Sequence, residues 1–212
     1  MDGQEPHGVA VEGRGSVQAT PDAARIVAGV DVVKKDLAAA RAEAASRATA
    51  VIEAAKSRGI PAADLRTARF SVRVERDYGR AGTPVTGYGV SNRVTVVVRD
   101  LDRLGAVLDD VIAAGANDVA GPEFFLHHPE DLEDEARRLA IADARRKAGV
   151  LAEAADAALG EIESIAELPA AFPMPRAALA RTALAEAAPT PVEAGTEEIA
   201  IAIRARWGLV PR

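Results

Sequence analysis

The chain has 212 residues and a mass of 22.0 kDa, which suffices for one large domain or two small ones with a buried core. Its net charge of −6 argues against a dedicated nucleic-acid-binding protein, because such proteins gain affinity by neutralising phosphates. The absence of cysteine excludes disulfides, thiolate metal ligands and cysteine nucleophiles. No uncharged stretch approaches the ~20 residues that span a bilayer, so we expect a soluble protein without a transmembrane segment.

The two ends of the chain differ from what lies between them. Residues 1–8 are polar and acidic and have no apolar segment typical of a secretory signal, so we expect a disordered N-terminal segment. The sequence as it stands predicts a cytoplasmic protein, and a periplasmic or exported one if a leader has been removed. Residues 209–212 (Leu-Val-Pro-Arg) match the remnant of a thrombin site, and we set them aside from the fold prediction.

Two strands and a helix are predicted in the first part of the chain. Alternating valines from Val9 to Val17 indicate one strand, in which Gly13 and Gly15 mark a bulge or a close approach. A second strand covers Ile26 to Val32. A helix then runs from about Leu37 to Arg58, with Asp36 as its N-cap and Gly59 after its last turn. Its apolar stripe comprises Leu37, Ala40, Ala44, Ala48, Val51 and Ala55.

The middle of the chain predicts two further strands and a short helix. In the first strand, Phe70, Val72 and Val74 form an apolar face opposite a polar one, and the second strand alternates in the same way from Val90 to Val98. The helix runs from about Leu101 to Ala114, with Asp100 as its cap and Gly115 as its stop. Its apolar face comprises Leu104, Leu108, Val111 and Ile112.

The last part of the chain contains a strand, the longest helix, another strand, an arm and a final strand. The helix is predicted from Pro129 to Leu159, which is about 45 Å and too long for one small sheet to cover. Prolines bracket an alanine-rich stretch over residues 169–195, which we interpret as a loop or an extended arm. Alternating isoleucines from Ile199 to Ile203 and Trp207 predict the final strand.

The element order is thus β-β-α-β-β-α-β-α-β, an arm and a last strand. Strands with a single apolar face are typical of an antiparallel sheet that is covered on one side. We therefore predict an α+β fold in a single domain over residues 9–208, with an antiparallel sheet and three main helices packed on one of its faces.

No constellation of residues predicts catalysis or metal binding. The three histidines lack carboxylates at metal-ligand spacing, and the glycine pairs around Arg14 and Tyr88 lack the helix and the lysine of a phosphate loop. The most informative feature is the polar face of the sheet, which has no aromatic residue for stacking RNA bases. It would carry six arginines, namely Arg69, Arg73, Arg93, Arg99, Arg204 and Arg206. This face could dock on another copy, remain solvated or capture an anionic ligand.

Several short strings, taken in order, resemble the SIMPL-domain family of YggE-like bacterial proteins. They include Val11–Gly15, Ala19–Ala24, Gly87–Asn92, Val98–Leu101, Gly115–Phe124, the run 144–148, Leu159–Gly160 and Pro191–Gly195. The resemblance covers about residues 9–208. It implies an α+β fold, large homo-oligomers and a loose association with stress defence, and it brings no catalytic residue or cofactor.

Within these strings we expect structural roles. Gly87, Gly115 and Gly121 are interpreted as backbone-geometry positions, and Asn92 as a buried fastener that bonds to the backbone. The complete structural signature comprises Gly13, Pro21, Gly87, Asn92, Gly115, Asn117 and Gly121.

The leading hypothesis is a non-enzymatic homo-oligomeric scaffold, a dimer or a larger ring-like assembly, with no cofactor, no metal and no nucleic-acid partner. It rests on the long helix, the arginine-rich face and the arm, each of which a neighbouring copy could cover. The alternative is a small-molecule or anion-binding module that uses the six arginines.

Overall fold

Period-two alternation and alanine-rich helical stripes produce the predicted element order in the computed structural model, which describes residues 8–79, 82–169 and 193–212. The elements are β1 (Gly8–Ala19), β2 (Ala23–Lys34), α1 (Leu37–Ser57), β3 (Leu65–Arg76), β4 (Val85–Val98), α2 (Leu104–Ala113), β5 (Asp118–Phe125), α3 (Glu130–Ala154), β6 (Ala157–Glu167) and β7 (Glu197–Pro211). Short 3-10 turns cover Ala62–Asp64 and Leu101–Arg103.

The strands are divided between two antiparallel sheets, with strand orders β1-β7-β6 and β3-β4-β2-β5. The prediction of an α+β fold with antiparallel strands and three helices is confirmed. The described residues form two compact units. The three-stranded unit holds β1, α3, β6 and β7, and the four-stranded unit holds the remaining elements.

The three-stranded unit joins the beginning of the described chain to its end, because β1 pairs with β7 over its whole length. β7 continues to Pro211, and Leu209 lies opposite Leu159 on β6. Most of the segment 209–212, which matches a thrombin-site remnant in sequence, is therefore part of a paired strand. The single domain over residues 9–208 stays a prediction.

The core of the four-stranded unit lies between its sheet and α1. The Asp36 carboxylate accepts a hydrogen bond from the Ala39 N–H at 2.8 Å, which confirms the predicted N-cap, and Gly59 ends the helix with a φ of +84°. The helix packs on β2 and β4. Its buried residues are Ala40, Ala44, Ala48, Val51 and Ala55. Leu37, predicted in the same stripe, is exposed at the start of the helix.

The helix α2 begins later than predicted, because residues Leu101–Arg103 form a 3-10 turn. The Asp100 carboxylate makes no cap hydrogen bond and pairs instead with Arg103 Nε at 2.8 Å. Ile112, predicted on the apolar face, is exposed. The buried face comprises Leu104, Val107, Leu108 and Val111.

The helix α3 is shorter than predicted, because residues from Ala157 onwards form β6. Its 25 residues span about 37 Å. Every fourth residue from Ala136 to Ala152 is buried, and the helix packs on β1 and β7 of its own unit. The length of this helix therefore no longer argues for a second subunit.

The predicted arm over residues 169–195 lies mostly outside the described residues, as does most of the predicted N-terminal segment. Within the described part of the chain, no helix combines the length and the apolar composition needed to cross a membrane.

Candidate functional site

The six arginines predicted on one face are divided between the two sheets. Arg69 and Arg73 lie on β3, Arg93 lies on β4, and Arg99 follows β4 directly. Arg204 and Arg206 lie on β7, in the sheet of the other unit. The prediction that one face of a single sheet carries all six arginines is therefore wrong. Period-two alternation shows which residues of a strand share a face, but it does not show which strands share a sheet.

A ladder of opposite charges crosses all four strands on the polar face of the four-stranded sheet. Arg73 on β3 lies 2.6 Å from Glu75 and, through Nη1, 3.3 Å from Asp31 on β2. These two carboxylates raise the pKa of the Arg73 guanidinium, chiefly through its hydrogen bond to Glu75. Arg93 on β4 donates through Nε to Asp118 on β5 at 2.9 Å. The arginines of this ladder are thus already neutralised within the chain.

The segment Gly87–Tyr88–Gly89 is part of β4 and does not form a phosphate loop. A Cβ atom at Gly89 would lie 2.7 Å from the guanidinium carbon of Arg73, because that side chain lies across the glycine. A Cβ atom at Gly87 would lie 2.7 Å from the carbonyl oxygen of Lys34. Both glycines make room for a close neighbour.

Arg99 ties the end of β4 to the turn before β3. Its Nη2 lies 2.7 Å from Oδ1 of Asp64, whose side chain is buried. The hydrogen bond to Asp64 raises the pKa of Arg99. The second oxygen of Asp64 has no hydrogen-bond partner among the described residues. This is a local structural contact.

The two arginines of β7 are paired across strands in the three-stranded sheet. Arg204 lies directly opposite Glu12 on β1, and their side chains meet at 2.8 Å. The hydrogen bond from Arg204 lowers the pKa of Glu12. Arg206 donates to Glu163 on β6 at 2.7 Å. Opposite charges at facing positions are a normal way to stabilise an antiparallel pair.

The asparagine that fastens the backbone is Asn117, while Asn92, for which that role was predicted, does not fill it. The Oδ1 atom of Asn117 accepts from the Asp31 N–H at 2.7 Å, and its Nδ2 donates to the Asp31 carbonyl at 2.8 Å. The backbone N–H of Asn117 also donates to the Gly29 carbonyl. Asn92 lies on the helix-covered face as predicted, but its Oδ1 has no hydrogen-bond partner in the described structure.

The remaining signature residues have geometric roles. Gly115 and Gly121 have φ angles of +112° and +103°, which confirms them as backbone-geometry positions, and Pro21 is buried in the connection between β1 and β2.

Gly13 and Gly15 of β1 lie against α3. A Cβ atom at Gly13 would lie 2.1 Å from the Ala140 carbonyl oxygen, and one at Gly15 would lie 2.1 Å from the Ala136 carbonyl oxygen. Of the two predicted alternatives, the glycines mark a close approach, because β1 keeps its register against β7.

A carboxylate on α3, which no sequence pattern had singled out, completes this contact. Asp143 accepts a hydrogen bond from the backbone N–H of Arg14, between the two glycines, at 3.0 Å. It also pairs with Arg146 and Lys147, and the hydrogen bond from Lys147 is the largest cause of its strongly lowered pKa. In a sequence, an acid one turn before two basic residues is typical of any stabilised helix surface, so this spacing does not distinguish Asp143.

The apolar residues of β3 are exposed, although the sequence predicts them to be in the core. Phe70 is 55% exposed, and Val72 and Val74 are each 46% exposed. All three lie on the helix-covered side of the sheet, opposite Asn92, Val90 and Tyr88 of β4. They are uncovered because β3 is the edge strand and α1 packs on β2 and β4. We refer to Phe70, Val72 and Val74 as the apolar strip.

The described residues give little support for a metal site or for a catalytic histidine. No three His, Asp or Glu side chains among them are grouped closely enough to hold a metal ion. The His127 ring meets the Phe125 ring edge-on at 6.5 Å, and His128 lies 3.8 Å from Glu130. Both histidines have structural neighbours at the junction between β5 and α3.

These features define an α+β protein whose conspicuous surfaces are internally paired charges and an uncovered apolar edge strand. Residues 9–207 match the model of the SIMPL family, described as a protein of unknown function (DUF541). The chain is 33% identical to the 26 kDa periplasmic immunogenic protein of Brucella melitensis, over 94% of this chain and 83% of that protein. It is 30% identical to the uncharacterized protein YggE of Escherichia coli K12, over 92% of this chain and 78% of that protein.

A second YggE protein, from Edwardsiella ictaluri, is 32% identical over 76% of this chain and 67% of that protein. The chain belongs to the SIMPL family, which confirms the resemblance found in the sequence.

Proposed function

We propose that this protein is a non-enzymatic scaffold that associates with further copies of itself. The observation that carries the proposal is the apolar strip, in which three large side chains in a row lie about half exposed on one strand. Alternate residues of a strand are neighbours on one face, so the three side chains form one continuous patch. A row of this kind on a sheet edge is a site for pairing with another chain.

Burying the apolar strip would be favourable. Full burial of a valine or phenylalanine side chain contributes about 1.5–3 kcal/mol, and roughly half of each side chain in the strip is still open to solvent. The strip is also continuous with Val90 of β4, which is fully buried in the core of the unit. A partner at this position would extend an existing core.

The titratable groups support a structural role over a catalytic one. Each described carboxylate with a shifted pKa has it lowered by a neighbouring cation, as in Glu12, Glu43, Asp110 and Asp143. A general acid at neutral pH needs the opposite shift, which burial or a like charge produces. These carboxylates are therefore ionised partners in ion pairs.

The alternative, an anion-binding module, has weaker support. Five of its six proposed arginines pair with carboxylates of the same chain. The sixth, Arg69, forms no ion pair with any described residue. A thermal-shift titration with inorganic phosphate tests this alternative, and a saturable shift that Arg69→Ala abolishes would favour it.

Light scattering coupled to size-exclusion chromatography tests the scaffold directly. At micromolar concentration and moderate salt, we expect a mass that is a multiple of 22.0 kDa. A single species with the mass of one chain, unchanged on concentration, would overturn the proposal.

The compartment and the process are part of the same proposal. The Brucella relative is named as periplasmic, and we extend that compartment to this chain. Cell fractionation of the native host checks it, and recovery in the cytoplasm would contradict it. The association with stress defence stays an expectation from the family resemblance.

A further inference from the structure

We infer that β3 pairs antiparallel with β3 of a second copy, with Val72 on the two-fold axis, so that two four-stranded sheets join edge to edge. The inference rests on the proposed self-association and names its contact and register. A two-fold contact of this kind uses the same surface on both copies and closes on itself.

The backbone of β3 is suited to this pairing. It is a 12-residue strand without proline or glycine, and it forms one edge of the sheet. Its outward N–H and C=O groups have no strand partner within the described sheet, and an added strand would satisfy them. The other edge, β5, has only 8 residues and contains Pro122, which cannot donate a hydrogen bond.

The two faces of the sheet restrict the register. Residues directly opposite each other in an antiparallel pair lie on the same face. A pairing centred on a residue sets even positions against even positions. Both apolar strips then fall on one face, and Arg69, Ser71, Arg73 and Glu75 of each copy fall on the other. A shift by a single position would set Phe70 against a polar residue of the second copy.

Charge selects the register centred on Val72 over its nearest competitors. It places Phe70 opposite Val74 of the second copy, and Arg69 opposite Glu75 of the second copy. A centre at Ser71 would place Arg69 opposite Arg73, and a centre at Arg73 would place two Arg73 side chains opposite each other. Like charges at facing positions are destabilising.

The selected register also gives Arg69 a partner. This side chain is exposed and forms no ion pair with the described residues of its own chain, while Glu75 is held in place by Arg73 at 2.6 Å. Across the axis, each copy supplies an arginine to the glutamate of the other. The strip and the charges are thus self-complementary in the same alignment.

The first experiment measures self-association by sedimentation equilibrium of the full chain. Val72→Lys places two ammonium groups opposite each other at the axis, and we expect the dissociation constant to rise at least tenfold. The matched control is Val210→Lys, a valine on β7 with a similar exposure of 50%, which we expect to leave association unchanged. Both sites are exposed, so circular dichroism should show both variants folded.

The second experiment tests the register by charge reversal. Arg69→Glu and Glu75→Arg should each weaken association, because each creates like charges across the axis. The double variant restores opposite charges and should associate more tightly than either single variant. Failure of the double variant to recover would overturn the register.

The third experiment uses the absence of cysteine in the chain. Val72→Cys introduces a single thiol that should link to its counterpart through a short bismaleimide, whereas Val210→Cys should give no dimer. If the wild-type protein is oligomeric but Val72→Lys associates normally and Val72→Cys does not link, this inference falls and the scaffold proposal stands. If the wild-type protein is a monomer, both fall.

Discussion

Substituting Gly13 by alanine should disrupt the contact between β1 and α3. The added methyl group would lie 2.1 Å from the Ala140 carbonyl oxygen and 2.6 Å from the Ala144 Cβ. Ordinary contacts begin near 3.4 Å, so the helix or the strand would have to move by about 1 Å. Inserting a methyl group into a tightly packed interface costs about 1–3 kcal/mol.

The displacement would also stretch the hydrogen bond from the Arg14 N–H to Asp143, which anchors the helix at this point at 3.0 Å. Gly15→Ala should behave in the same way, because its methyl group would meet the Ala136 carbonyl oxygen at 2.1 Å. Gly149→Ala is the matched control within α3. No described neighbour lies within 4 Å of the place that its methyl group would take, and replacing a glycine inside a helix by alanine stabilises by about 0.5–1 kcal/mol.

Urea unfolding followed by circular dichroism measures all three variants. We expect lower midpoints for Gly13→Ala and Gly15→Ala and a higher midpoint for Gly149→Ala, with unchanged slopes. If Gly13→Ala unfolds within about 0.5 kcal/mol of the wild type, the close approach does not determine the stability of this unit.

Other residues give further tests. Asn117→Ala removes two hydrogen bonds to the Asp31 backbone and should lower the free energy of unfolding, measured in urea, by about 1–3 kcal/mol. Asn92→Ala should lower it less, because the Asn92 Oδ1 accepts no hydrogen bond in the described structure. Equal losses in the two variants would contradict the assigned roles. The lowered pKa of Asp143 means that its stabilising effect is complete above the ordinary value of 3.8 and is lost as the pH falls through the folded-state value. Asp143→Asn should therefore reduce stability at pH 7 and make its decline toward pH 2 shallower, and parallel pH profiles of the urea midpoint would refute this. Arg99→Ala should lower the urea midpoint more than Arg69→Ala, because only Arg99 neutralises a buried carboxylate, that of Asp64.

The local structure could be predicted from the sequence because its causes are local. The alternation of apolar and polar residues locates the strands. The alanine stripe, the Asp36 N-cap and Gly59 locate the ends of α1 to within one residue. Positive φ at Gly115 and Gly121 likewise follows from a residue type that tolerates it. The end of α3 was misplaced because alanines such as Ala157 and Ala158 suit a helix, and only their pairing with β7 makes them strand.

The tertiary structure decides which strands are neighbours, and therefore which charged and apolar residues share a face or lie exposed at an edge. The same alternation occurs in β3 and β7, yet the two strands belong to different sheets, so Arg73 and Arg204 never share a face. Phe70 has the pattern of a core residue and is exposed because its strand came to lie at an edge. The reason is physical: alternation follows from the geometry of one strand, whereas sheet membership, edge position and helix cover depend on contacts between segments far apart in the chain.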